Sequence, residues 1–358
     1  MRRELLKCVS RIVVKVGTGL LTDEKKRPDL AQMESLVEQI SKLRRAGREV
    51  VLVSSGAVGS GMGILGFDRR PSELAELQAC AAVGQSRLMA TYERFFERFG
   101  LHAAQVLLTH EDLRHHDRHL NARNTLISLL NHGVVPIINE NDAVSFTELK
   151  FGDNDTLSAL VACLLPADLL VILTSVDGLI QDFGKAASRT LSTIERIDDA
   201  VERLAGGTTS ATAVGGMATK IQAGKIVVRS GIPLVIACGS KKNVLDRVVN
   251  GQEEGTVFIP RKDRLRGRKR WIAFFHQPKG SLTVDEGARR ALREEGRSLL
   301  MPGITRCDGD FSAGDVVRIC DRNGTEFARG MAAVDADGVR ARAGLPKAVV
   351  HRDNLVVL

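Results

Sequence analysis

The residues best suited to chemistry lie in one stretch, residues 134–158, VVPIINENDAVSFTELKFGDNDTLS. An apolar run from Val134 to Ile138, too short for a helix, reads as a buried strand. It turns abruptly polar at Asn139, Glu140, Asn141 and Asp142. A strand-like segment, Val144 to Phe151, leads to a second knot, Gly152-Asp153-Asn154-Asp155, which opens an apolar helix over 157–165. Asn and Asp are common in turns and helix caps, and Asp153 reads as a cap. Two such clusters at strand and helix ends exceed what turns require. They offer carboxylates for cations and amides for a polar substrate, at the strand ends where open α/β sheets bind ligands.

Further candidates follow other strands. Lys15 stands at the end of the predicted strand 12–16, where an unpaired ammonium is a poor core residue. Ser54-Ser55-Gly56-Ala57-Val58-Gly59 follows the next strand, with small residues that bare backbone N–H groups and hydroxyls to an anion. Thr174-Ser175 follows the strand 169–173 and could border a nucleotide. Gly215-Gly216-Met217-Ala218-Thr219-Lys220 opens a helix, and glycines there with a lysine one turn in suit a phosphate clamp. Two lysines, two acid–amide knots and glycine-rich helix entries, without an activated nucleophile, point to phosphoryl transfer onto an acceptor that is already an anion. A carboxylate needs no general base, so catalysis would be positioning and charge neutralisation.

Other motifs do not hold up. Gly61-Met62-Gly63-Ile64-Leu65-Gly66 matches GxGxxG, but it lies well past the strand end and has no acid about 20 residues on for a ribose. There is no GxxxxGK[ST] loop. His115, His116, Asp117 and His119 read as a surface helix start, and no metal site is predicted.

Strands and helices alternate through about 260 residues. A βαβ unit comprises the strand 12–16, the helix 29–46 and the strand 49–53. A long helical region over 72–99, strands at 103–108, 169–173, 233–237 and 256–259, and intervening helices extend it. The fold class is α/β, an open and mainly parallel sheet sandwiched by helices. After residue 270 the texture becomes small and mostly β, with strands at 271–275 and 281–284, a helix over 285–295, and turn signals at Gly314-Asp315, Asn323-Gly324 and Asp337-Gly338. The expected division is 1–260, a basic linker 261–270, and 271–358.

The net charge of +8 is not spread over a face. Residues 1–260 hold 31 Lys and Arg against 30 Asp and Glu, residues 261–270 hold seven against one, and residues 271–358 hold 13 against 12. That localisation argues against a phosphate-tracking groove and against RNA binding by the tail. The six cysteines are dispersed without a CxxC pair, which predicts reduced thiols and a cytoplasmic protein. No apolar run approaches the ~18 residues of a membrane span, and the N-terminus lacks a signal-type core.

In this order, VVKVGTGLL, VSSGAVGSG, AAVGQSRL, LNARNTL, VVPIINENDAV, KFGDNDTLSA, LTSVDGL and GGMATK resemble the bacterial glutamate 5-kinases, a branch of the amino acid kinase family. KRWIAFFHQPKGSLTVDEGA through AVVHRDNL resembles the PUA domain found at their C-termini. The resemblance implies ATP- and Mg²⁺-dependent phosphorylation of the γ-carboxylate of L-glutamate, feedback inhibition by proline, a homo-oligomer (dimer or tetramer), and a product used by glutamyl phosphate reductase. It implies that Lys15 and Lys220 neutralise the phosphoryl group while Asp155 holds both lysines. Ser55, Asp142, Asn154 and Asn139 would bind glutamate. Lys15, Thr174, Ser175, Val214, Gly215, Gly216, Met217, Ala218, Thr219 and Lys220 would bind ATP. The chain departs from many relatives at Ser175, where they carry Asp, and at Ala213-Val214, where they carry Gly-Thr; both departures bear on the nucleotide. The alternatives are a related kinase with another carboxylate, carbamate or phosphate acceptor, and an RNA-binding protein.

Overall fold

The computed structural model describes residues 1–22, 28–144, 154–183, 188–206, 216–261, 265, 267–276, 278–342 and 348–358. The chain forms two compact units, Met1–Arg264 and Leu265–Leu358. In the first, α1 (Arg2–Leu6) leads into β1 (Arg11–Val16), α2 (Thr18–Leu21), α3 (Leu30–Arg45) and β2 (Glu49–Ser54). Two helices, α4 (Ala57–Leu65) and α5 (Leu74–Glu97), precede β3 (Ala103–Leu108), α6 (His110–Arg114), α7 (His116–Asn131) and β4 (Val135–Glu140). Next come α8 (Asn154–Leu164), β5 (Leu169–Thr174), the small hairpin β6 (Ile180–Gln181) and β7 (Arg189–Thr190), then β8 (Thr193–Ile194) and α9 (Asp199–Gly206). The unit closes with α10 (Met217–Arg229), β9 (Leu234–Cys238), α11 (Val244–Val249) and β10 (Thr256–Phe258).

Eight strands form one sheet in the order β3-β4-β2-β1-β5-β9-β10-β8. The pairs from β3 through to β9 are parallel, and β10 runs antiparallel to β9. Helices cover both faces, so the central strands are apolar nearly throughout rather than alternating. In β1 every residue from Ile12 to Val16 is buried, and Lys15 is its one buried charge. α3 shows why these helices form and where they face. Asp29 caps it by accepting from the Gln32 N–H at 3.0 Å. Met33, Leu36, Val37, Ile40 and Leu43 make the buried stripe, and Lys42, Arg44 and Arg45 sit in the last turn, where cations suit the dipole.

α4 and α5 pack backbone to backbone. A Cβ on Gly84 would lie 1.8 Å from the Ala57 carbonyl oxygen, and one on Gly61 would lie 1.8 Å from that of Cys80. The GxGxxG pattern is therefore a helix-packing feature: Gly61 makes the close approach, and Gly66 ends α4 in the left-handed conformation at φ +77. The crossing also seats the middle of α5 near the sheet. The other end of the unit is tied by α1. The buried Arg2 guanidinium donates to the carbonyls of Glu254 and Gly255, and the Arg3 backbone packs where a side chain on Gly251 would go.

The second unit opens with α12 (Gly267–Phe274) rather than with the expected strand at 271–275. A short apolar run such as Trp271 to Phe275 fits either state. In the helix Ile272 and Ala273 are buried, packed with Val316 and Val356. Within the basic stretch, Gly267 to Arg270 supply the first turn of α12, and Arg270 bonds the Leu265 carbonyl. A five-stranded sheet follows, in the order β12-β11-β13-β14-β15, from β11 (Gly280–Val284), β12 (Ile304–Gly309), β13 (Val316–Cys320), β14 (Glu326–Met331) and β15 (Leu355–Val357). α13 (Glu286–Arg293) connects the first two strands. The turn signal at Asp337-Gly338 is instead inside α14 (Ala336–Ala341), because Asp335 caps that helix by accepting from the Gly338 N–H at 2.7 Å. Leu282, Ile319, Phe327 and Val350 centre this unit's own core. Among the described residues no helix is long and apolar enough to cross a membrane. The expected strand 144–151 falls outside the described residues except for Val144, which lies in a turn; Asp153 also lies outside them.

Gly84→Ala should destabilise the protein by about 3 kcal/mol, read from the urea midpoint, because backbone rather than a movable side chain blocks the methyl group. Gly63→Ala on the same helix pair, with nothing within 4 Å of its Cβ position, should instead stabilise by about 0.5–1 kcal/mol.

Candidate active site

Parallel register brings the functional side chains to one edge. Val16 pairs with Ser54 on one side and Leu173 on the other, and Val53 pairs with Ile138. Lys15, Ser54, Asn139 and Thr174 therefore all sit at carboxyl ends of neighbouring strands. This is the edge where open α/β sheets accept ligands.

α8 begins at this edge and presents Asn154 and Asp155 in its first turn. Asp155 is almost fully buried, and its carboxylate holds two lysines at once. Lys15 Nζ lies 2.6 Å from Oδ1, and Lys220 Nζ lies 3.1 Å from Oδ2. Lys15 arrives from β1, with its ammonium against Gly17; Lys220 arrives from the first turns of α10, which packs on α8. Thr219 donates its hydroxyl to the same Oδ2 at 2.7 Å. Burial pushes the Asp155 carboxyl up, but the charges of Lys15 and Lys220, with hydrogen bonds from Lys15 and Thr219, outweigh it and hold the group at about 2. Its place at a helix N-terminus favours the same ionised form. The three charged groups sum to +1 out of water. An anion is their electrostatic complement.

Beside this triad lies a cluster of amides. Asn154 Nδ2 donates to the Ser54 carbonyl at 3.1 Å, Ser55 Oγ at 2.8 Å and Asn139 Oδ1 at 3.0 Å. Asn139 in turn donates to Gln85 Oε1 at 2.9 Å, and Gln85 donates to Gln105 Oε1 at 3.1 Å. Ser54 Oγ is 2.9 Å from the hydroxyl of buried Tyr92.

The sequence-predicted residues thus separate into those brought together and those not. Lys15, Asp155, Thr219 and Lys220 meet directly, and Ser55, Asn139 and Asn154 meet directly one residue away along α8. Asp142 is half-buried in the turn just beyond β4. Thr174 ends β5 and is half-buried, and Ser175 is exposed. Gly216 precedes α10, and Met217 and Ala218 lie in its first turn. Val214 and Gly215 lie outside the described residues. Sequence reading did not single out Gln85 or Gln105. Gln105 interrupts the apolar strand AAQVLL, which is a usable signal; Gln85 in a 24-residue helix has none.

The profile of the amino acid kinase family matches residues 10–238, and that of the PUA domain matches residues 280–352. A glutamate 5-kinase of Geobacter sulfurreducens is 45% identical over 100% of this chain and 100% of its own. A glutamate 5-kinase of Moorella thermoacetica is 47% identical over 97% of this chain and 96% of its own. This chain belongs to the glutamate 5-kinases of the amino acid kinase family. A carbamate kinase from Giardia lamblia bound to AMP-PNP has the same fold as the first unit, with a TM-score of 0.50 at 20% identity, covering 71% of this chain and 99% of that one. The family fold explains why motifs so far apart in this sequence meet at one sheet edge.

Asp155→Asn would leave two buried ammonium groups sharing a neutral amide, a loss of about 3–5 kcal/mol at pH 7. The native carboxyl sits below its ordinary 3.8, at about 2, so its stabilisation is present above pH 4 and is lost as pH falls towards 2. Urea unfolding of both proteins should therefore show a gap that is wide at pH 7 and narrows between pH 4 and 2.

Proposed function

We propose that this chain transfers the γ-phosphoryl group of ATP to the γ-carboxylate of L-glutamate, forming L-glutamyl 5-phosphate, the first step of proline biosynthesis. The observation that carries the proposal is the single buried carboxylate of Asp155 joined to both Lys15 and Lys220, in a chain that aligns from end to end with glutamate 5-kinases. The acceptor oxygen is already ionised at neutral pH, so no base has to remove a proton. What the reaction needs is relief of repulsion between an anionic acceptor and an anionic phosphoryl group. Two ammonium groups held a carboxylate's width apart supply that relief, and they are oriented before substrate arrives.

Lys15 and Lys220 contact the phosphoryl oxygens in this reading, and Asp155 keeps them from separating. Ser55, Asn139, Asp142 and Asn154 hold glutamate; Thr174, Ser175 and the segment from Val214 to Lys220 hold the nucleotide. Mg²⁺ belongs in this proposal as the counter-ion carried by the nucleotide phosphates. Feedback inhibition by proline, a homo-oligomeric state, use of the product by a glutamyl phosphate reductase and a cytoplasmic location complete it.

With glutamate, ATP and hydroxylamine, the protein should yield the glutamyl hydroxamate; no glutamate-dependent release of ADP would overturn the proposal. Lys220→Ala should lower kcat by about 10²–10³ with little change in KM for glutamate, because its charge matters most in the transition state. Asn154→Ala should mainly raise KM for glutamate. The reverse pattern in steady-state kinetics would exchange the two roles.

A further inference from the structure

Besides Asp155, the first unit holds another carboxylate that is out of water and gripped by two cations. Glu254 is 1% exposed. Its Oε1 lies 2.9 Å from Lys241 Nζ, and its Oε2 lies 2.5 Å from the Arg247 guanidinium on α11. Lys241 is shared, because the same ammonium lies 2.7 Å from Oδ1 of the exposed Asp177. Parallel pairing fixes where this happens. Thr174 at the end of β5 pairs with Cys238 at the end of β9, and the Gly239 N–H donates to the Thr174 carbonyl at 2.9 Å. Both segments therefore leave the sheet at the ligand edge, Asp177 three residues beyond β5 and Lys241 three residues beyond β9.

The segment after β5 is fastened at its far end by Thr256. The Leu179 N–H donates to the hydroxyl of this fully buried threonine at 2.8 Å, and the hydroxyl donates to the Leu191 carbonyl at 2.6 Å. Gly178 takes φ +126, and a Cβ there would lie 2.5 Å from the same hydroxyl oxygen. Between Thr174 and Gly178 the turn faces solvent at Ser175 and Asp177, and the ion pair to Lys241 ties its middle. We propose that Lys241, anchored on Glu254, is a positioning residue that fixes the 175–177 turn against which the phosphoryl donor's nucleotide lies. Glu254 serves as the post. Its burial and its bond to Arg247 keep the carboxylate from following Lys241 outward, so the ammonium carries the fixed position of residues 254–256 to the turn. Hydrogen bonds to Asp177 and then Glu254 push the Lys241 pKa up, so the bridge is charged at neutral pH. The inference rests on the reading of Thr174-Ser175 as the nucleotide's border and names what holds that border in place.

Steady-state kinetics of the full-length protein with ATP and glutamate, paired with urea midpoints, test the tie. Lys241→Met and Asp177→Asn should each raise KM for ATP about three- to fivefold, the reach of one partly exposed ion pair. The kcat and the KM for glutamate should stay within about twofold. The double variant should be no worse than either single one, because both cut the same link. Lys241→Arg keeps the charge and can reach both carboxylates, so its KM for ATP should stay within about twofold of the wild type. Arg247→Leu removes the other cation from Glu254 without touching the turn. It should lower the urea midpoint and leave KM for ATP as it was. A simple charge effect on the anionic nucleotide would move KM in opposite directions for Lys241→Met and Asp177→Asn, and that result would overturn the tie. So would an Arg247→Leu protein whose KM for ATP rises as much as that of Lys241→Met, since the network would then serve folding alone. If Lys241→Met does not fold, Asp177→Asn at its exposed position decides, and an unchanged KM for ATP there refutes the proposal. A wild type without glutamate-dependent ADP release would refute the kinase reading itself; an active wild type whose KM for ATP ignores these substitutions would refute only the tie.

Discussion

One carboxylate, that of Asp155, keeps two ammonium groups out of water, and the architecture of the first unit can be understood as the means of keeping it there. A buried ion pair is expensive to assemble and still more expensive to break. Here the geometry is supported from three directions: β1 delivers Lys15, α10 delivers Lys220 and Thr219, and the first turn of α8 delivers the acid itself. The helix dipole, the Thr219 hydroxyl and two cations all favour the ionised acid over the burial that opposes it. The excess positive charge that remains is not a flaw of packing. It is the electrostatic complement of an anion.

The amide cluster follows a different logic. Charges dominate at Asp155, whereas directionality dominates at Asn154, one residue earlier on the same helix. Side chains from β2, β4, α5 and α8 converge there, and the tight α4–α5 crossing at Gly61 and Gly84 places Gln85 close enough to take part. The charged triad and the amide cluster are thus adjacent but use separate physics. One pairs opposite charges, and the other orients lone pairs and N–H bonds.

Much of this was legible in the sequence. Continuous apolar strands such as 12–16 and 169–173, separated by helices with clear start and stop residues, specify a covered parallel sheet. Lys15 stood out because an unpaired ammonium at a strand end makes a poor core residue, the 152–155 knot because two acid–amide clusters exceed what turns require, and Lys220 because a lysine one turn into a glycine-opened helix suits a phosphate; that Asp155 holds both lysines was implied by the resemblance alone. What was not legible depends on three-dimensional neighbours. Gln85 carries no local signature, because its meaning lies in Asn139, 54 residues away. GxGxxG could be dismissed as a nucleotide loop but not recognised as a helix crossing, since the partner glycine lies on another helix. Trp271 to Phe275 was ambiguous by periodicity, and the structure makes residues up to Phe274 a helix that buries Ile272 and Ala273.

The anchoring of α1 has a consequence for how such a chain comes off the ribosome. Arg2 bonds the backbone of Glu254 and Gly255, and β1 needs β5 as well as β2 for neighbours. The earliest-made segment therefore cannot take its final seat until roughly the first unit's whole length has emerged, although domains generally acquire structure in order of synthesis. The second edge of β1 stays open until β5 (Leu169–Thr174) has been made, and α1 has no dock until Glu254 and Gly255 have. In such a nascent chain the first helix stays undocked until translation has reached the end of the unit.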